Sequence, residues 1–300
     1  MIDTKNIPCL FGEALFDCFP DGSHVLGGAP FNVAWHLQAF GFHPLFISRV
    51  GDDELGQEIK ARMQKWGMRM DGIQTDPVHA TGTVDVVLQD GEPTFHIVAD
   101  CAYDHIAADQ LPDIQADLIY HGSLAVRHAE SLEALNRLKQ LVHAPVFVDI
   151  NLRIPWWRPA EAISLLTGAR WAKLNEHEVD ELADAGESLT SKAYTLVRRC
   201  GLESLILTLG KKGAYVIGPD GETPRVEPSS GESVVDTVGA GDAFASICIV
   251  GLINNWDINT TLQRAQQFAS AVVGIRGATT EEESFYRPFL GQWNLASSNA

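Results

Sequence analysis

Residues 236–244, DTVGAGDAF, join a run of small residues to a carboxylate at the start of an apolar stretch of helical length. Backbone N–H groups at a helix N-terminus suit an anion, and Gly239, Ala240 and Gly241 would leave them accessible. Asp242 would repel a resting anion, but it can take a proton from a hydroxyl group as a phosphoryl group arrives. The lysine of a P-loop is missing. The pattern therefore indicates phosphoryl transfer to a hydroxyl group, or else an acidic capping residue after a glycine turn.

Apolar runs of strand length alternate with amphipathic stretches, and these elements must position the chemical groups. Both faces of such apolar strands are covered in a parallel sheet. We predict an α/β fold, a doubly wound, mostly parallel sheet with helices on both faces. The strands are expected in 117–122, 145–150, 169–175 and 204–210, and the helices in 30–40, 127–142 and 176–200.

The stretch from Thr83 to Ala99 breaks this rhythm. Val84, Val86 and Leu88 alternate with other residues before a DGE turn at 90–92, and Phe95, Ile97 and Ala99 alternate after it. This pattern predicts an antiparallel hairpin with one covered face. Because a two-stranded hairpin is marginal alone, we predict a small β-sheet lid from segments near 14–27 and 82–103. The lid would cover its own subunit or another one. Residues 290–300 are expected to bury little.

The charge balance and the cysteines limit the partners and the compartment. Twenty-two basic and thirty-nine acidic side chains give a formal charge of −17. Such a field disfavours nucleic acid and anionic membrane surfaces as partners. The longest apolar run, in 243–253, is too short to span a bilayer, and no signal-peptide pattern is present. Five scattered cysteines without a CxxC motif predict reduced thiols in a cytoplasmic protein.

Two motifs some two hundred residues apart resemble the signatures of one family. DTVGAGDAFASICIVGL is similar to the C-terminal signature of the ribokinase-like (PfkB) carbohydrate kinases, and GGAPFNVAWHLQAFGFHPLFISRVG (27–51) to the N-terminal one. GEALFDCF, DINLR (149–153), KLNEHEVDEL (173–182) and TLGKKGAYV (208–216) agree with the same family. The resemblance covers residues 7–280 and implies one ribokinase-like kinase domain over residues 1–300.

The resemblance also implies roles around the acceptor sugar. Asp242 corresponds to the catalytic base, and Gly239, Ala240 and Gly241 correspond to the anion hole. The residues implied to bind the sugar are Asp17, Gly27, Gly28, Asn32 and Arg153. Outside the motif, Asn32 would be interpreted as a turn residue and Asp17 as a solvated strand end. The DINLR segment has Ile150 where the family commonly has proline, which leaves the local backbone shape open.

On the nucleotide side, the resemblance implies ATP and metal ions. ATP would contact Asn175, Thr208, Gly210 and Gly213, whereas Lys211 and Lys212 are expected in a solvated turn. Asn175 and Glu178 would organise Mg²⁺ through water, and the same pair fits a helix capping box. Asp236 and Val238 would form one half of a monovalent-cation (K⁺) site, with Val272 and Gly277 near the other half.

These observations favour an ATP-dependent kinase acting on a primary hydroxyl group of a small neutral sugar. GGAPFN, GEALFD and NLR…W look most similar to bacterial fructokinases, and residues 81–99 contain no Lys or Arg to attract a sugar acid. D-fructose is thus the expected substrate, with 2-keto-3-deoxygluconate and ribose as alternatives and a sugar- or nucleotide-binding regulatory protein as the non-enzyme alternative. A nicotinamide dehydrogenase is disfavoured because Phe244 stands where a third glycine belongs. We expect a homodimer through the lid.

Overall fold

The computed structural model describes residues 7–89, 92–183, 188–221, 225–227 and 235–295. The strands of this part of the chain are β1 (Pro8–Phe11), β2 (Leu15–Cys18), β3 (His24–Gly27), β4 (Leu45–Gly51), β5 (Ile73–Asp76), β6 (Gly82–Gln89), β7 (Glu92–Ile97), β8 (Leu118–His121), β9 (Val146–Asp149), β10 (Trp171–Asn175), β11 (Ser204–Thr208), β12 (Ala214–Ile217) and β13 (Arg225–Val226). The α-helices are α1 (Ala29–Ala39), α2 (Glu54–Lys65), α3 (Ala129–Val142), α4 (Pro159–Leu166), α5 (Glu176–Leu182), α6 (Leu189–Cys200), α7 (Ala240–Ile253), α8 (Ile258–Val273) and α9 (Glu283–Trp293).

The main sheet confirms the predicted doubly wound α/β fold. Its order is β13-β12-β11-β10-β9-β8-β1-β4-β5. All neighbours pair in parallel except β11 with β12 and β12 with β13. The chain places β4 on one side of β1 and later places β8 on the other. The strand order therefore reverses at β1, and open sheets of this kind bind ligands at the carboxyl ends of the strands beside such a reversal.

Helices cover both faces of this sheet. Alternate residues of β1 point to opposite faces, so Leu10 packs in the core below α1, α7, α8 and α9, whereas Cys9 and Phe11 pack in the core with α3 to α6. All eleven residues of α1 are buried. The helix has a proline in its first turn and is followed by Gly41, as its sequence predicts. Helix α7 is apolar on every side and is buried accordingly.

A separate small sheet confirms the predicted lid. Its order is β3-β2-β6-β7, in which β2 and β6 run parallel and the other pairs run antiparallel. Val84 packs with Tyr103 and Leu124 at the base of the lid. The turn at 90–91 and the side chains of 88–93 lie outside the described structure.

Of two expectations about buried surface, the one for the hairpin is met only in part within a single subunit, and the one for the C-terminus was wrong. Phe95 was expected on the covered face of the hairpin, and it does pair with the buried Val86, yet it is 52% exposed. The subunit covers the base of the hairpin and leaves Phe95 open. Near the C-terminus, Trp293 is buried and stacks on Phe40 with ring centroids 5.6 Å apart. Phe285, Phe289 and Trp293 follow one another at a spacing of four residues and form an aromatic face of α9. The prediction of a poorly buried terminus did not take this face into account. No helix in the described ranges is long and apolar enough to cross a membrane.

Candidate active site

Asp242 lies in the first turn of α7, directly after the predicted glycine turn. Gly239 caps the helix with φ +79°, and a Cβ at this position would overlap Ala278. The N–H of Ala243 donates to the carbonyl of Gly239 at 2.8 Å. Among the described residues, the preceding amides of Gly241 and Asp242 have no main-chain acceptor. This is the normal state of a helix start, and it leaves donors for an anion beside a carboxylate.

A side chain from α1 holds this carboxylate. Asn32 Nδ2 donates to Asp242 Oδ2 at 2.8 Å across 210 residues of sequence. Burial, together with the negative charge of Asp149, raises the pKa of Asp242 to about 6, although the Asn32 bond acts in the opposite direction. A carboxyl group with a pKa of about 6 is mostly ionised at neutral pH. Its pKa is also close enough to neutral pH for it to exchange protons efficiently. It has the protonation behaviour of a general base.

A buried ion pair that the sequence reasoning missed lies below the glycine turn. Lys173 on β10 and Asp149 on β9 stand opposite each other in the sheet, and Lys173 Nζ contacts both carboxylate oxygens at 2.8 and 2.9 Å. Burial opposes the charged ammonium group, but Asp149 outweighs this effect and raises the pKa of Lys173. Tyr120 donates to Asp149 at 3.1 Å. A Cβ on Gly241 would lie 3.5 Å from Lys173 Nζ, so this ammonium group lies next to the glycine turn.

The signal for this pair was present in the sequence. Lys173 interrupts the apolar run ARWAKLN of a strand that was itself predicted to be buried. A lysine is almost never fully buried unless it is paired. A carboxylate partner on an adjacent strand was therefore to be expected.

Three of the predicted sugar residues, Asp17, Gly27 and Gly28, lie in or directly after strands of the lid. Asp17 lies on strand β2 of the lid, and its Oδ2 would be 3.9 Å from a Cβ on Gly27. Gly28 has φ +105°, and a Cβ there would come within 2.5 Å of the carbonyl oxygen of Glu13. The second glycine therefore allows the chain to cross closely over the segment that follows β1. This close approach joins the lid to the sheet.

Glu13 is a further functional candidate that the sequence reasoning did not select. It follows β1 within the quoted motif GEALFD and is buried. Its Oε2 has no hydrogen-bond partner among the described residues. Burial raises its pKa to about 7, and the charge of Arg153 opposes that shift. A buried carboxyl group with an unused oxygen is a group that a sugar hydroxyl could satisfy.

Arg153 lies near the same carboxyl groups. Its positive charge lowers the pKa values of Glu13, Asp17 and Asp242, against the effect of burial, which raises all three. The preceding Ile150 is fully buried, and the chain turns at Asn151 with φ +46°. The segment that departs from the family pattern therefore still directs its arginine to the predicted sugar side.

Asn175 and Glu178 form the capping box that the sequence allowed. Asn175 Oδ1 accepts from the N–H of Glu178 at 2.9 Å, and Glu178 Oε2 accepts from the N–H of Asn175 at 2.8 Å. The other oxygen of Glu178 accepts from the N–H of Leu152 at 3.0 Å. Because these oxygens already accept main-chain bonds, the pair fits the water shell of Mg²⁺ better than direct coordination. Asn175 Nδ2 remains available as a donor on an exposed residue.

The remaining nucleotide residues lie at the end of β11. Thr208 is the last residue of this strand, and a short turn over Gly210–Lys212 leads to Gly213 and β12. Lys211 and Lys212 are exposed, as expected for a solvated turn, and Lys212 Nζ lies 3.9 Å from Glu176. These residues share the carboxyl edge of the sheet with Asn175.

The two halves of the predicted monovalent-cation site also meet. Asp236 accepts from the N–H of Val238 at 3.0 Å and from the N–H of Gly277 at 3.1 Å. Its own N–H donates to the carbonyl of Val273 at 3.1 Å. The loop before α7 is thus tied to the segment after α8.

Comparisons with known proteins agree with this geometry. The model of the pfkB family carbohydrate kinases matches residues 18–284. The chain is 29% identical to the aminoimidazole riboside kinase of Salmonella typhimurium over 99% of this chain and 96% of that protein. It is 27% identical to Fructokinase-2 of Oryza sativa over 89% of this chain and 86% of that protein. A fructokinase from Vibrio cholerae, solved with fructose, ADP and a potassium ion, superposes with a TM-score of 0.80 at 25% identity, covering 96% of this chain and 99% of the other.

Proposed function

The chain belongs to the pfkB family and is a carbohydrate kinase, and we propose that it transfers the γ-phosphoryl group of ATP to a primary hydroxyl group of D-fructose. One observation carries the proposal. Asp242, held by Asn32, lies beside the open amides of α7, and the charge of Arg153 acts both on Asp242 and on Asp17 of the lid. A proton acceptor and an anion site are thus adjacent, as in-line transfer to a hydroxyl group requires.

On the sugar side, Asp242 takes the proton of the attacking hydroxyl group. The bond from Asn32 keeps one carboxylate oxygen directed, so the other is free to accept that proton. We assign Asp17, Glu13 and Asn32 to the remaining hydroxyl groups, with Gly27 and Gly28 allowing close approach of the chain. Discrimination follows because a sugar lacking one of these hydroxyl groups leaves a buried polar group without a partner.

On the nucleotide side, the amides of Gly241 and Asp242 donate hydrogen bonds to the oxygens of the phosphoryl group as it passes to the sugar hydroxyl. The Lys173 ammonium group lies beneath them and adds positive charge from below the turn. We assign ATP to Asn175, Thr208, Gly210 and Gly213, and Mg²⁺ to the water shell at Asn175 and Glu178. Bound there, Mg²⁺ would neutralise charge on the phosphates. Asp236 and Val238 are assigned to a K⁺ ion beside the anion hole.

The charge around the sugar pocket supports a neutral substrate. The charge of Arg153 acts on three carboxyl groups, those of Glu13, Asp17 and Asp242. These carboxyl groups outnumber the one arginine, so an anionic sugar such as 2-keto-3-deoxygluconate would meet net negative charge. The similarity to fructokinases from Oryza sativa and Vibrio cholerae favours fructose among neutral sugars.

The test is a comparison of kcat/KM for fructose, ribose, 2-keto-3-deoxygluconate and aminoimidazole riboside, with ADP formation as the readout. Fructose should give the highest value. If another substrate exceeds it tenfold, the assignment of fructose fails while the kinase assignment stands. The variant Asp242→Asn should lose about 10²–10⁴-fold in kcat and keep sugar and ATP binding. Asp109→Asn, at an exposed aspartate, is the matched control. Sugar binding without ADP formation in the wild type would favour a regulatory protein.

We further propose a homodimer formed through the lid of one kinase domain spanning residues 1–300. The support is apolar surface that one subunit leaves open, since Val25, Val87 and Phe95 of the lid are 37%, 41% and 52% exposed. Sedimentation should give a dimer for the wild type and a monomer for Phe95→Glu. A monomeric wild type would reject the contact. Five free cysteines support the expected reducing cytoplasm.

A further inference from the structure

A cluster of histidine and carboxylate side chains lies outside the kinase site, at the stem of the lid. The rings of His79 and His105 stack with centroids 3.7 Å apart and an angle of 10° between their planes. Asp100 Oδ1 lies 2.8 Å from His105 Nε2 and 3.9 Å from His79 Nε2. One donor atom from each of the three residues falls within 4.8 Å of the others. Three potential ligand atoms therefore converge on one point.

The opposite nitrogen of each ring is held by a second carboxylate. His79 Nδ1 lies 3.1 Å from Asp76 Oδ2, and His105 Nδ1 lies 2.9 Å from Glu130 Oε2. An ionised carboxylate can only accept, so each Nδ1 must carry the proton. The Nε2 atom of each ring is then the one that can bind a metal ion. A carboxylate behind a histidine is the arrangement that orients histidine ligands in metal sites.

The carboxylate behind His79, that of Asp76, is itself held in place by hydrogen bonds and an ion pair. The other oxygen of Asp76, Oδ1, accepts from the N–H groups of Val78 and His79 at 2.8 and 2.9 Å, and Arg49 Nε lies 3.0 Å from Asp76 Oδ2. The Asp76 side chain is almost fully buried. In contrast, the Asp100 side chain is 65% exposed, so the point of convergence can be reached from solvent.

We propose that His79, Asp100 and His105 bind one Zn²⁺ ion, with Nε2 of each histidine and Oδ1 of Asp100 as ligands and water in the open position. Two imidazoles with one carboxylate suit zinc, whereas Mg²⁺ and Ca²⁺ prefer oxygen ligands throughout. Ligand atoms about 2.0–2.1 Å from zinc stand roughly 3.3 Å apart in a tetrahedron, whereas these atoms lie within 4.8 Å of one another. Because the lone pair of each Nε2 lies in its ring plane, binding requires shifts of up to about 1.5 Å and a rotation of the two stacked rings away from parallel. On binding, the proton between His105 Nε2 and Asp100 is released to solvent.

The position of the cluster gives the ion a structural role. His79 precedes β6, and Asp100 and His105 follow β7, so the ligands come from both stems of the lid hairpin. The main chain already joins these stems, since the N–H of Ala102 donates to the carbonyl of Ala80 at 2.8 Å. A bound ion would cross-link the stems at a second point. It would stabilise the base of the lid without touching the residues assigned to sugar or ATP.

The experiment measures metal uptake by the full chain, freed of metal by a chelator and kept free of nucleotide, which itself binds divalent ions. Equilibrium dialysis against Zn²⁺ should give one ion per chain, and Co²⁺ should give the intense visible absorption of a tetrahedral site. The double variant His79→Gln/His105→Gln should abolish both signals. His143→Asn, at an exposed histidine directly after α3 and outside the cluster, should keep them.

Two single variants distinguish the loss of a zinc ligand from a folding defect. Asp100→Asn changes an exposed ligand, and Glu130→Gln changes only the carboxylate behind His105 and should weaken zinc binding about 10–100-fold. Circular dichroism and the unfolding temperature without metal should match the wild type for both. The proposal is overturned if the wild type takes up no stoichiometric zinc, or if Asp100→Asn and the double variant bind it as tightly as the wild type. In that case the cluster is an ion-pair network only.

Discussion

Replacing Glu13 by glutamine should stabilise the protein, and the gain should depend on pH. Burial raises the pKa of Glu13 from 4.5 to about 7, which corresponds to about 3 kcal/mol at 1.36 kcal/mol per pKa unit. A raised pKa means that the folded state binds the proton more tightly than the unfolded chain. The wild type therefore has its full stability with respect to this group below the unfolded pKa and loses it as the pH rises through about 7.

Glutamine keeps the shape of the side chain and removes this titration. Unfolding by urea, measured for both proteins between about pH 5.5 and pH 8.5, should show the difference in unfolding free energy growing by about 2 kcal/mol toward high pH. Glu133→Gln, at an exposed glutamate on α3, should show no such trend. A difference that stays constant with pH would mean that Glu13 is not a buried acid in the folded protein. The reasoning that assigns it to a sugar hydroxyl would fall with it.

Three further predictions concern the base, the buried pair and the glycine turn. Because the pKa of Asp242 is raised to about 6, the kinase activity should fall as the pH drops through about 6, and a profile that stays flat to pH 5 would contradict its role as the base. Lys173→Met should lower the unfolding free energy by about 3–5 kcal/mol by leaving Asp149 buried and unpaired; Lys173→Met/Asp149→Leu should recover part of that loss in urea unfolding, and no recovery would argue against the pair. Gly239→Ala should cost about 1–3 kcal/mol in the same measurement, because φ is positive and Ala278 is in the way, whereas Gly291→Ala on α9, where a Cβ meets nothing, should be neutral or stabilising; equal effects would refute the argument.

The strands and helices of the core could be predicted because each is a local pattern. The apolar runs at 117–122, 145–150, 169–175 and 204–210 all became strands of the main sheet. The alternation around 90–91 likewise located the lid. A local pattern does not show which distant parts of the subunit pack against a segment. Trp293 was misjudged for that reason, because aromatic residues far along the chain bury it, whereas Phe95 is exposed within the single subunit.

The site shows the same division. The motif supplied Asp242 and Asn32, and the structure brings them into contact. A lysine inside a buried strand already indicated that Lys173 needs a carboxylate partner. That this partner is Asp149 depends on the register between two strands, which no single stretch of sequence encodes. Glu13 was visible in a quoted motif, but its importance comes from burial beneath Gly28. The residue types of the site could thus be predicted from the sequence. Ion pairing and burial could not, because they depend on how the strands assemble into the sheet.

The complete burial of α1 also bears on how this enzyme can diverge. Asn32 sits on a helix whose eleven residues all pack in the core, so most substitutions near it would cost stability before they changed the substrate. Asp17 lies instead on a lid strand, where it pairs with the exposed Val25 of β3, so substitutions around it remove less buried surface. Mutations that alter sugar preference can therefore accumulate in the lid while the base and its partner are retained. New sugar specificities in this chain should therefore arise first through substitutions in the lid.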